Sequence, residues 1–106
     1  MPTLYRAVSV SELQDIFASG RLRPIPSSIE GKWFAETPSD AASWGTWFGR
    51  VSGVPHEHVV RVTFPERMDA HLLRLTMLDK IGPARFATIQ QLQEVEEISL
   101  WPSGQS

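Results

Sequence analysis

Glu30-Gly31-Lys32-Trp33-Phe34-Ala35-Glu36-Thr37-Pro38-Ser39-Asp40-Ala41-Ala42-Ser43-Trp44-Gly45 reads as an aromatic strand running straight into a helix. Residues 32–36 form the strand candidate. Thr37 is an N-cap residue, Pro38 fills the first helical position where no N–H is needed, and Asp40 puts an acid in the first turn. Ala41, Trp44 and Phe48 then recur at helical spacing, which predicts a helix over 38–48. An indole in the second turn, close to a strand end, has two physical uses. It packs the helix on the sheet, or it walls a flat slot in which a planar cationic ring stacks by dispersion and cation–π attraction.

Outward from this unit, residues 4–8 read as a first strand containing Arg6. Ser9 opens a helix over 9–19, with Glu12 at capping-box spacing, and Gly20 ends it. Val10, Leu13, Ile16 and Phe17 share one face of that helix. Residues 21–31, with Pro24, Pro26, Ser27 and Ser28, read as a loop, and 49–57 as a turn-rich connection. Residues 58–64 are the clearest strand. Residues 67–78 read as a short helix followed by irregular chain, 79–86 as a loop, and Thr88 as the cap of a short helix through 91–93. Residues 96–101 alternate as a last strand before Pro102. Strands separated by helices predict one α+β domain over 1–106, with Leu13, Ile16, Phe17, Val60, Val62, Ile98 and Leu100 in its core.

Composition bounds the chemistry. Hydrophobic residues are 42% and charged residues 21% of 106, an ordinary globular balance. A net charge of −2 exerts no general pull on nucleic acid or an anionic membrane, and solvated surface accounts for the nearby cations Arg21, Arg23 and Lys32. Absence of cysteine excludes thiolate catalysis, disulfides and cysteine metal sites. No apolar run approaches a membrane span, and the first residues lack a signal-peptide pattern. Neither a phosphate-binding glycine loop nor an HExxH pair is present. His56 and His58 lack a third ligand at metal-site spacing, so a loop and strand-edge role is expected of them.

The segment 30–45 resembles the nicotinamide-pocket motif of the ADP-ribosyltransferase superfamily, in which a glycine–aromatic–Phe–Ala strand leads to a helix with a stacking aromatic. Trp44 falls at the stacking position. Leu4-Tyr5-Arg6-Ala7 resembles the family's first motif, where a His or Arg contacts NAD, and Arg6 matches the arginine-bearing branch that includes many bacterial toxins. Val95-Glu96-Glu97-Ile98-Ser99-Leu100 resembles the third motif, with its catalytic glutamate at a strand start. The segments 30–45 and 78–86 also resemble toxin domains at the C-termini of bacterial polymorphic, Rhs-type effectors. Two departures stand out. Phe34-Ala35-Glu36-Thr37 occupies the place of that branch's Ser-Thr-Ser strand, and the Glu or Gln usual two residues before the catalytic glutamate is Val95 if that residue is Glu97 and Glu94 if it is Glu96.

The resemblance implies a split antiparallel sheet with flanking helices and a mono-ADP-ribosyltransferase that cleaves the nicotinamide–ribose bond of NAD. Its implied site is Tyr5, Arg6, Ala7, Phe34, Ala35 and Trp44 around NAD, with Arg6 and Glu97 catalytic and no metal. Glu96 is the other candidate carboxylate. Strand alternation favours Glu97, because Glu96 shares the Ile98–Leu100 face expected to be core. The implied partners are a macromolecular acceptor, preferentially protein, and a cognate immunity protein. Delivery into a target cell as part of a larger effector is implied as well. Residues 81–86 lie where acceptor contact is expected, with Arg85 exposed either for that purpose or as an ordinary loop charge. An NAD glycohydrolase and a non-catalytic binding module of a toxin–immunity pair are the alternatives.

Overall fold

A computed structural model describes residues 3–22, 31–78 and 80–101. Its strands are β1 (Thr3–Val8), β2 (Gly31–Ala35), β3 (His58–Thr63), β4 (Leu73–Leu78), β5 (Gly82–Thr88) and β6 (Glu97–Trp101). The α-helices are α1 (Val10–Ser19), α2 (Pro38–Ser52) and α3 (Ile89–Leu92), and a 3₁₀ turn spans Glu66–Met68. The strands form one antiparallel sheet in the order β4-β5-β2-β1-β3-β6. The chain is therefore α+β, as the alternation of elements requires. Residues 23–30 of the expected first loop, Asp79 and Pro102 lie outside the described residues.

Local chemistry places the helices. The Ser9 side chain accepts the N–H of Glu12 (3.2 Å), and Gly20 closes α1 in the left-handed conformation at φ 73°. Thr37 accepts the N–H of Asp40 (3.1 Å), with Pro38 in the first turn. Thr88 and Gln91 form a reciprocal capping box on α3. Helix α2 runs one turn past the expected stop at Gly49, because the left-handed cap falls on Gly53 (φ 75°) instead.

Sheet register sorts side chains between two faces, since directly paired residues project to the same side. Leu4, Val8, Phe34, Val60, Val62 and Ala87 meet Ile16 of α1 and Leu92 of α3 in the larger core. Tyr5, Trp33, Ala35, Val59 and Ala84 meet Ala41 and Trp44 of α2 on the other face. Of the expected core, Ile16, Val60 and Val62 are buried, and Leu13 and Ile98 pack partly buried against them. Phe17 and Leu100 are corrected to exposed, at 60% and 39%. Phe17 lies on the flank of the stripe that Ile16 buries. Leu100 shares the face of its partner Val60, but it stands on an edge strand that no helix covers fully.

The C-terminal half holds the larger differences. Residues 73–78, expected irregular, and 82–86, expected as loop, are paired strands β4 and β5. Gly82-Pro83 reads as a turn, yet the Pro83 ring sits at a strand start where a missing N–H does little harm. Arg85 is buried (8% exposed) rather than exposed. Its guanidinium donates to Asp69 Oδ1 (2.9 Å), to the Asp69 carbonyl and to the Leu72 carbonyl (3.1 Å), tying β5 to the turn before β4.

Candidate functional site

Strands β1 and β2 touch at a single register pair, Tyr5↔Ala35. By contrast β1 pairs with β3 at six positions and β2 with β5 at five. The sheet thus consists of two three-stranded halves, β4-β5-β2 and β1-β3-β6, joined at a seam. Over that seam, on the α2 side, opens a cleft of about 280 Å³. Tyr5, Arg6 and Ala7 of β1, Trp33 and Ala35 of β2 and Leu78 of β4 line it, and Ala41, Trp44, Trp47 and Phe48 of α2 form its roof. A wider groove of about 450 Å³ on the other flank of α2, along Gly45, Gly49 and His56, is built from small and polar residues with no comparable aromatic wall.

Five of the seven residues expected at the NAD site (Tyr5, Arg6, Ala7, Ala35 and Trp44) border this one cleft. Phe34 does not. It is 1% exposed on the opposite sheet face, edge-on to Phe64 at 5.8 Å, because alternation turns it away while Trp33 and Ala35 turn in. Trp44 is itself 6% exposed, packed against Ala35, Ala41 and Ala84, and it borders the cleft. Its indole N–H has no hydrogen-bond partner among the described residues.

Glu97 is exposed at the start of β6. Register gives it the face of the cleft, opposite Thr63, which itself opposes Thr3. It stands two strands across and two residues along from Tyr5, roughly 12 Å between Cα atoms at ordinary sheet spacings. It does not line the cleft, and the side chain of Arg6 leaves the sheet on the other face. The expected convergence of Arg6, Trp44 and Glu97 is therefore corrected: Arg6 and Trp44 border the cleft and Glu97 stands apart on its sheet face. Glu96 precedes the strand and donates its N–H to Thr63 (2.8 Å). No carboxylate lines the cleft among the described residues. Glu36 is engaged by Arg74 (2.7 and 3.1 Å), and Asp40 packs so closely under Gly82 that a Cβ there would lie 2.3 Å from its Oδ2.

Beneath the seam lies an ionic cluster. Arg6 Nε and Nη2 grip the Glu12 carboxylate (2.8 and 3.2 Å), and Arg6 Nη1 donates to the Trp33 carbonyl (3.0 Å). Lys32 Nζ reaches the same carboxylate at 3.1 Å. Burial opposes the Glu12 charge, but Arg6 and then Lys32 outweigh it and hold its carboxyl below the usual glutamate range. Burial, with the charge of Arg6 added, lowers the Lys32 ammonium, while Glu12 and Asp15 act the other way. Lys32 is corrected from solvated surface to 2% exposed, and Glu12 from a capping carboxylate to the partner of two cations.

Sequence reasoning missed Glu12, Lys32 and Trp47. Trp47 follows Trp44 by three residues, a helical spacing that signals a shared face. No local signal pairs Lys32 with Glu12, twenty residues earlier. Groups of three or more possible metal ligands are absent among the described residues, and His56 Nδ1 lies 2.7 Å from the Val54 carbonyl within its own loop. Comparison with known proteins finds no matching family model, no similar curated protein and no similar solved structure.

Proposed function

We propose that this chain is an ADP-ribosyltransferase-type toxin domain that binds NAD by its nicotinamide ring, cleaves the nicotinamide–ribose bond and passes ADP-ribose to a macromolecular, preferentially protein, acceptor. The finer fold in this reading is the superfamily's split sheet, and the single-pair junction between β1 and β2 supports it. The observation that carries the reading is the meeting of Tyr5, Arg6, Ala7, Ala35 and Trp44, drawn from three separate elements, around one aromatic cleft. At about 280 Å³ the cleft falls just under the roughly 300 Å³ at which pockets begin to hold drug-sized ligands, so it suits one ring rather than a whole dinucleotide. The rest of NAD would lie along the sheet face outside it.

In this chemistry the glycosidic bond breaks with its electron pair remaining on the nicotinamide nitrogen, which neutralises the ring. The ribosyl cation left behind is captured by an acceptor nucleophile, which releases a proton. Trp44 and Trp47 stack the ring, and a carboxylate opposite the cation stabilises the transition state. Glu97 is the carboxylate the resemblance supplies, exposed on the cleft face, and a substrate reaches it by extending along that face past Tyr5. Delivery by a larger effector and neutralisation by an immunity protein belong to the same reading.

Mass spectrometry of NAD products, with and without cell lysate, tests this. Transfer appears as mass added to lysate components, and hydrolysis as free ADP-ribose without lysate. Glu97→Gln keeps shape and removes charge, and its expected effect is a loss of about a hundredfold in NAD cleavage. Cleavage at the wild-type rate by that variant moves the carboxylate elsewhere. Among the described residues no carboxylate lines the cleft, which favours a second reading, a non-catalytic module that binds the ring. NAD bound in calorimetry yet returned intact from every reaction would establish it.

A further inference from the structure

The cleft is lined from both halves of the sheet, so its width depends on what holds the halves together. One register pair does so through the backbone. Beside the apolar packing that both halves share, a polar connection runs through Glu12, which stands on α1 under the reverse face. Arg6 comes to it from the β1 half and Lys32 from the β2 half, at 2.8 and 3.1 Å. Arg6 also spends its remaining terminal nitrogen on the Trp33 carbonyl, a backbone group of the opposite half, where a continued ladder would have supplied a partner. The three side chains are nearly withdrawn from water, with 19%, 9% and 1% of their area exposed for Arg6, Glu12 and Lys32.

We propose that Glu12 is the positioning residue of the cleft, an anionic staple that fixes the spacing between Trp33–Ala35 and Tyr5–Ala7 and so sets the width of the ring slot. The ring as occupant rests on the function proposed above, whereas the staple does not. Without the carboxylate, two buried cations from opposite halves face each other with their shared counter-charge gone, although Asp15 still acts on Lys32. The polar tie across the seam is then reduced to the single backbone pair and the Arg6–Trp33 bond, and the slot loosens although none of its lining residues has changed. Arg6, on this inference, acts on the cleft through its bond to Trp33 and its grip on Glu12.

The test uses the whole chain with Glu12→Gln and two independent readouts. Hydrogen exchange reports the seam without any ligand. Amides of residues 33–35 are expected to exchange at least about tenfold faster, while those of β3 keep their protection. NAD titration followed by tryptophan fluorescence reports the slot, with affinity expected to fall by about tenfold or more as the stacking walls separate. Wild-type seam protection in a folded Glu12→Gln variant overturns the proposal. So does a loosened seam with unchanged NAD affinity. If the wild-type chain itself fails to bind NAD, the ring reading falls, and exchange together with a red shift of tryptophan emission still decides the staple. Should Glu12→Gln not unfold cooperatively, Glu12→Gln with Lys32→Met removes one of the opposed cations along with the carboxylate. Native exchange at 33–35 in that folded double variant overturns the proposal, and loosened exchange supports it.

Discussion

Trp33, Phe34 and Ala35 are neighbours in the chain and live in two environments. Trp33 and Ala35 face the cleft, and Phe34 is sealed in the larger core. Phe34→Ala should therefore cost about 3–5 kcal/mol, a large part of the roughly 5–15 kcal/mol that holds a domain together. Urea unfolding checks this through a lowered midpoint at unchanged slope. Trp47, 39% exposed on the cleft rim, should behave in the opposite way. Trp47→Ala is expected to leave stability within about 1 kcal/mol and, on the function proposed above, to weaken NAD by roughly the 0.5–1.5 kcal/mol of an aromatic contact, read by calorimetry. Glu12 adds a pH dependence. Its folded-state carboxyl lies below its unfolded value, so its contribution is fully present above the ordinary glutamate pKa of about 4.3 and is lost as pH falls through the folded value. Urea midpoints measured from neutral into acid should fall less steeply for Glu12→Gln than for the wild type. Parallel curves would remove Glu12 from the acid response.

At the scale of elements, two positions show how locally each strand and helix is set. Thr37 closes β2 and caps α2, the helix that roofs the cleft, by accepting the Asp40 N–H. Thr37→Ala is expected to cost about 1 kcal/mol, within the usual range for a lost cap, as measured by thermal or urea unfolding. Gly31 starts β2 at φ 148°, and a Cβ built there would lie 2.0 Å from the Ala87 carbonyl oxygen of β5. The atom it meets first is a paired backbone carbonyl, which cannot yield as the end of a flexible side chain can. Gly31→Ala should consequently destabilise the β2–β5 pairing far more than Thr37→Ala destabilises α2, and hydrogen exchange in β5 would show the loss. Equal effects of the two changes would contradict this account. The contrast follows from geometry, since a cap residue faces solvent and Gly31 is clamped between strands.

Taken whole, the molecule is two three-stranded halves meeting at one backbone pair, with α2 across one face of the seam and α1 below the other. Such a design suits a binding slot, because a sheet laddered throughout leaves no gap between neighbouring strands. The proposed function makes a prediction at this scale: the chain made inside bacteria should deplete NAD and arrest growth, and Glu97→Gln should relieve both. Growth curves paired with cellular NAD measurement check it. Arrest without NAD loss would place the toxicity in some other activity, and relief by Glu97→Gln of growth but not of NAD depletion would separate Glu97 from the cleavage step.

By itself the sequence determined the elements whose signals are local. The caps at Ser9, Thr37 and Thr88, the glycine stop at Gly20 and the alternating strand at 58–63 all appear where their residues imply. Alternation also set Glu97 opposite Ile98 and Leu100, and the same rule, had it been applied to β2, would have turned Phe34 away from Trp33 and Ala35. Strand β4 does alternate in sequence, Leu73-Arg74-Leu75-Thr76-Met77, a signal that the reading of 67–78 as helix and irregular chain passed over. Tertiary structure alone decided the rest. Strand β5 begins with Gly82-Pro83 and is a strand because it is paired on both sides. Lys32 and Arg85 read as surface charges until distant acceptors, Glu12 and Asp69, make their burial tolerable. The depth of the cleft and the separation of Glu97 from it depend on strand order and on where the ladder stops. Those are properties of contacts between residues far apart in the chain, and no local spacing encodes them.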